Sequence, residues 1–113
     1  MQANWKCRMQ TQQVYIETQI EHLRILIQSS SIVPSLKSEL LERLSLLQLE
    51  YVEALCRAAT KPLTATNLRY ILTFLINMEV RDIASLFHVD AGSVYSVRYR
   101  LRKIFPQQMV LPF

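Results

Sequence analysis

The residues best suited to chemistry in this chain stand close together near its end: Tyr95, Ser96, Arg98, Tyr99, Arg100, Arg102 and Lys103. Between Ala91 and Phe105 there is no acidic residue to offset these cations. An acid-free basic stretch is the electrostatic footprint of a segment that lies against phosphate. Tyrosine and serine among the cations add side chains that can hydrogen-bond or make apolar contact next to that phosphate.

To act together these side chains must be held on one element, and the apolar spacing supplies it. Ile83, Ala84 and Phe87 repeat at three and four residues, His88, Val89 and Asp90 interrupt the pattern, and Val94, Val97, Leu101 and Ile104 resume it. The stretch from Val80 to Phe105 therefore reads as two helices joined by a tight turn, a helix-turn-helix. At ~100° per residue, Val97, Leu101, Ile104 and Phe105 fall within roughly 80° of Val94 and form one buried stripe. The opposite side carries Tyr95, Ser96, Tyr99 and Lys103, with Arg100 and Arg102 on the flanks and Arg98 nearer the buried stripe.

Composition narrows the rest. Half of the 113 residues are apolar and only one is glycine, which argues against disorder and against a turn-rich β fold and favours an all-α chain. The net charge is +4 and the pI near 9.3. Residues 1 to 62 hold seven Lys/Arg against six Glu, whereas residues 63 to 113 hold six against Glu79, Asp82 and Asp90. The basic surplus thus lies in the second half, mostly in one helix. Cys7 and Cys56 stand far apart in a chain large enough to build a core, so a reduced, cytoplasmic protein is expected. Trp5, Lys6 and Arg8 are followed by no apolar run of a signal peptide, and the most apolar uncharged run, Tyr70 to Met78, is about half the length that crosses a bilayer.

The chain divides at residue 62 into an N-terminal helical hairpin, 1–62, coiled-coil-like and expected to dimerise, and a small helix-turn-helix domain, 63–113. Residues 1 to 8 show no period and are expected to be loosely packed. From about Met9 a helix carries Ile16, Ile20, Leu23 and Ile27 in 4-3-4 spacing, and Ser29, Ser30 and Ser31 stop it. Pro34 suits the first turn of a second helix, whose Leu40, Leu44, Leu47, Tyr51, Ala54 and Ala58 predict a continuous rod of roughly 37 Å. Leu41, Leu46, Leu49, Val52 and Cys56 widen its apolar surface beyond one seam. One neighbour cannot cover that much surface. A homodimer through Leu40, Leu41, Leu44, Leu47 and Tyr51 is the favoured cover, the alternative being the C-terminal domain of the same chain.

Lys61 and Pro62 close that helix, Thr64 is expected to cap the next, from Ala65 to about Ile76, and Asn77 suits its left-handed stop. Pro106 ends the basic helix, and the aperiodic tail, with Met109, Val110, Leu111 and Phe113, has apolar residues that could tuck onto a groove.

In order and separation, Leu63-Thr64, Arg81-Asp82-Ile83-Ala84, Phe87-His88-Val89-Asp90, Ser93-Val94 and Ile104-Phe105 resemble the LuxR-type (GerE-like) bacterial DNA-binding domain over residues 63 to 105. The resemblance implies sequence-specific binding of double-stranded DNA by a bacterial transcriptional regulator, with contact to RNA polymerase as a further expectation. The positions of Tyr95, Ser96, Tyr99 and Lys103 resemble the family's base-contacting ones, while the helical faces put Arg100 and Arg102, and less directly Arg98, at phosphates, with Thr64, Arg81 and Ser93 as further expected phosphate contacts. Three positions depart from the family pattern. Glu79 replaces a Ser or Thr cap, His88 replaces the turn glycine, and Asp90 replaces a serine cap. Histidine enters positive φ at modest cost and aspartate caps as well as serine, but the charge of Asp90 is poorly placed if a phosphate approaches. Gly92 either leaves the first turn uncovered, so that its N–H groups could meet a phosphate, or is merely a relaxed helix start. Where the family often has lysine, Tyr95 cannot make the bidentate contact to guanine, so A/T-containing sites are expected.

The rival expectation is a helical protein-interaction module whose degenerate helix-turn-helix binds a regulator or polymerase in place of DNA. The acid-free basic helix speaks for DNA and the broadly apolar second helix for interaction. No enzyme activity, cofactor or metal is expected. One glycine cannot make a phosphate loop, no nucleophile and base are grouped, and His22, His88, Cys7 and Cys56 lack ligand spacing.

Overall fold

The computed structural model describes the backbone from Gln2 to Phe113 and the side chains from Gln12 onward. It contains six helices: α1 (Gln2–Gln28), α2 (Pro34–Ser45), α3 (Leu49–Ala58), α4 (Ala65–Leu75), α5 (Val80–Phe87) and α6 (Ala91–Arg102). No strand occurs among the described residues, so the fold is all-α.

α1 is the element on which the others assemble. Its seam of Ile16, Leu23 and Ile27 is completely buried, and it packs against α2, α3 and α4 together. The helix starts at Gln2 and not near Met9, because nothing in residues 2–8 breaks a helix: there is no proline or glycine, and Gln, Ala, Lys and Arg all propagate it well. The side chains of residues 1–11, Cys7 included, lie outside the described residues. Tyr15 donates its hydroxyl to the Leu63 carbonyl at 3.2 Å, tying α1 to the entry of α4.

The continuous second rod expected from the leucine spacing is two helices. α2 ends at Ser45, whose hydroxyl donates to the Glu42 carbonyl, and the Leu47 amide reaches back to the Leu44 carbonyl in a tightened last turn. Gln48 is extended (φ −81°, ψ 124°), and its carbonyl accepts from the Tyr51 and Val52 amides to open α3. The break lets the two short helices each lie against α1. The bend turns Val52 and Leu55 inward and leaves Tyr51 43% exposed and Leu46 71% exposed.

This changes the expected dimer seam. Leu40 and Leu44 are buried within the chain's own core, and Leu41 and Leu47 are half-buried against it, so only Tyr51 of those five residues is substantially exposed. The apolar core runs unbroken across residue 62, joining α1, α2 and α3 to α4, α5 and α6.

α4 is buried on most of its circumference through Leu68, Tyr70, Ile71, Leu72, Thr73 and Phe74, as expected of a helix with neighbours on several sides. The Thr64 hydroxyl accepts from the Asn67 amide at 3.1 Å and caps it. Its C-terminus closes by a left-handed Asn77 (φ 57°), with the Met78 amide donating to the Thr73 carbonyl and the Asn77 amide to the Phe74 carbonyl. Arg43 of α2 donates to the Ile76 carbonyl at 3.0 Å and satisfies a further carbonyl at this negative helix end.

Candidate nucleic-acid interface

α5 and α6 pack on one another, and α6 also rests on α4. α5 buries Ile83, Ala84 and Leu86, and the Phe87 ring at its end stacks on Tyr70 of α4 at 4.1 Å between centroids. The connection to α6 repeats the closure seen after α4. His88 takes the left-handed conformation (φ 56°, ψ 44°), the Val89 amide donates to the Ala84 carbonyl and the His88 amide to the Ser85 carbonyl. With a single glycine in the chain, asparagine and histidine serve the two left-handed positions.

Asp90 then starts α6. Its carboxylate accepts from the Ser93 amide at 2.7 Å. That hydrogen bond holds the Asp90 carboxyl below its ordinary pKa. The first turn of α6 is therefore occupied by its own carboxylate and is unsuited to a phosphate. At Gly92 a Cβ would stand 3.3 Å from the Asp90 Oδ1, a tight contact with the capping carboxylate. Ser93, expected at a phosphate, is half-buried, and its amide is engaged in the cap.

The buried stripe falls where its spacing predicts, with Val94 and Leu101 of α6 and Phe105 beyond its end buried, and Val97 of α6 and Ile104 beyond its end half-buried; the helix itself stops at Arg102, short of Phe105. The outer face presents Tyr95, 58% exposed, Tyr99, 63% exposed, and Ser96 and Lys103, also exposed. The Lys103 ammonium stands 4.3 Å from the centroid of the Tyr99 ring, a cation–π contact that holds both side chains outward. Arg100 and Arg102 are exposed on the two flanks. Arg98 is directed elsewhere: its guanidinium lies 5.8 Å from the centre of the Phe74 ring and its Nε is buried without an acceptor. It is a packing residue in this conformation.

The remaining expected contacts are dispersed. Thr64 is exposed but its hydroxyl is used by the α4 cap, and Arg81 is exposed at the start of α5, with Nε 3.1 Å from the Glu79 carboxylate. The Glu79 side chain makes no capping hydrogen bond.

A groove borders each flank of α6. One, of about 560 Å³, lies between Tyr99, Arg102 and Lys103 and the tail residues Pro106, Gln107, Met109 and Leu111. The other, of about 440 Å³, lies between Arg100, Lys103 and Ile104 and the segment Lys61, Pro62, Thr64 and Asn67. The tail is fastened by Phe113, which is buried, stacks on Phe74 at 5.7 Å and meets Phe105 edge-on at 5.9 Å, while Val110 points to solvent. Nothing in the sequence links Lys61 and Asn67 to the basic helix. Lys61 had no signal beyond its charge, because its proximity to α6 arises from the tertiary fold.

Among the described residues no three His, Cys, Asp or Glu side chains converge as metal ligands, and no helix is long and apolar enough to cross a membrane. Burial pushes the Cys56 thiol up to about 11. A scan against protein-family models finds no match, and neither curated proteins nor solved structures yield a significant similarity.

Proposed function

We propose that α5 and α6 form a helix-turn-helix that binds double-stranded DNA, with α6 as the recognition helix of a transcriptional regulator resembling the LuxR type. The observation that carries this reading is the outer face of α6: two exposed tyrosines and a serine set among Arg100, Arg102 and Lys103, with no acidic residue in the helix. In a major groove about 12 Å wide, such a helix directs Tyr95, Ser96 and Tyr99 at base edges and its flanking arginines at the phosphates. Lys103, held over Tyr99, reaches either. Titration of a labelled random duplex at two salt concentrations tests the reading by fluorescence anisotropy. Binding that weakens steeply with salt supports it.

A second reading, docking to another protein or to a second copy of this chain, is favoured by the exposed Leu46 and Tyr51 at the α2–α3 break and by Val33 before α2. A DNA-binding dimer would place two α6 helices about one helical turn of DNA apart, roughly 34 Å, whereas a polymerase or regulator contact would use the same apolar residues without DNA. Sedimentation equilibrium separates a dimer from a monomer directly.

A further inference from the structure

We infer that Lys61, on the segment between α3 and α4, and Asn67, in the first turn of α4, join Arg100 to form a binding site for a DNA backbone phosphate on one flank of α6. The inference rests on the DNA reading of α6 and extends it to residues outside the helix-turn-helix. The groove they border, about 440 Å³, is lined by the cations Lys61, Arg100 and Lys103 and by the polar Thr64 and Asn67, with no acidic side chain among the described residues that line it. Three cationic residues lining one groove without a counter-charge favour an anion there.

The position of Lys61 is built and not incidental. Thr60 donates both its amide, at 2.7 Å, and its hydroxyl, at 2.6 Å, to the Ile104 carbonyl just beyond α6. Pro62 follows and restricts the backbone after Lys61. The lysine stem therefore starts beside the end of α6, and its ammonium has the reach to cover the Arg100 flank.

The two walls of a major groove also make the flanks unequal. Arg100 and Arg102 are two residues apart and so project about 160° from each other around the helix axis. The Arg102 flank faces the tail and shares Lys103 with the other groove, with Gln107 as a further polar companion. On the Arg100 flank, Lys61 supplies a second positive charge to the phosphate strand, while the Asn67 side-chain amide can donate to the same or the next phosphate oxygen. A phosphodiester of duplex DNA is the ligand that fits, because a helix lying in the groove brings such a group alongside both flanks.

The test is the salt dependence of binding to a fluorescein-labelled random-sequence 20-base-pair duplex, measured for the full chain and for Lys61→Gln, Lys61→Arg and Arg100→Gln. Lys61→Gln is expected to lower the slope of log K against log salt by about one and to weaken binding roughly five- to tenfold near 0.1 M salt. Lys61→Arg should retain the wild-type slope. If Lys61→Gln keeps the wild-type slope while Arg100→Gln lowers it, the phosphate site is overturned and the DNA reading stands. If the unmodified chain shows no salt-sensitive binding at micromolar protein, the DNA reading fails and the phosphate site fails with it.

Discussion

Thr60 holds Ile104 by two hydrogen bonds to a single carbonyl, one from its amide at 2.7 Å and one from its hydroxyl at 2.6 Å. The bond pair joins residues 44 positions apart in sequence and fixes the end of the basic helix to the segment that follows α3. Removing the hydroxyl while keeping the side-chain shape isolates half of this tie. Thr60→Val should destabilise the chain by about 1 kcal/mol, measured by urea denaturation. An unchanged urea midpoint would show that the hydroxyl bond contributes nothing to stability.

The break between α2 and α3 predicts unequal costs for two residues that a straight helix would place on one stripe. Leu44 is 1% exposed and Tyr51 is 43% exposed. Leu44→Ala should cost about 2–5 kcal/mol, as for a fully buried leucine, and Tyr51→Ala less than about 1 kcal/mol in the monomer. Equal losses in chemical denaturation would restore the continuous rod.

Asp90 gives a pH signature with a definite sign. Its folded carboxyl is held below its ordinary pKa by the Ser93 amide, so the cap stabilises the fold above the ordinary carboxylate range. That contribution is lost as pH falls through the lowered folded value. Asp90→Asn keeps an acceptor at every pH and should remove this part of the acid dependence, while Asp90→Ala should lower Tm at neutral pH. Thermal melts at pH 3 and pH 7 compare the three proteins.

Arg98 separates charge from packing. Its guanidinium rests on Phe74 with a buried Nε, away from the outer face of α6. Arg98→Ala should therefore cost about 1 kcal/mol of stability from the lost cation–π contact and stem packing, yet leave the salt slope of DNA binding unchanged. A slope lowered by one would return Arg98 to the phosphate-contacting set.

What was legible in the sequence was local. The Thr64 and Asp90 caps, the left-handed Asn77 and His88 and the Val94–Leu101 stripe depend on residues within one or two helical turns; Thr64, Asn77 and the stripe occur where residue type and spacing predict, and His88 and Asp90 where the family resemblance implies. What was hidden depends on distant partners. No proline or glycine marks the break at Leu46–Gln48, on either side of which a short helix packs against α1. The same holds for Arg98, placed by Phe74 of α4, and for Phe113, whose ring fills the space between Phe74 and Phe105. Periodicity also leaves the partner of a seam open. Leucines at seam spacing satisfy a neighbour in the same chain as readily as one in another, and Leu40 and Leu44 do the former.

The most direct measurement is selection of binding sites from a randomised duplex pool, run in parallel on the unmodified chain, Tyr95→Ala, Tyr99→Ala and a double Arg100→Gln, Arg102→Gln variant. The DNA reading predicts that the unmodified chain enriches a defined site containing A/T pairs and that each tyrosine variant shifts the preference. It also predicts that the double arginine variant weakens binding to every sequence, with a salt slope lower by about two. No enriched site, together with no salt-sensitive binding, would contradict it.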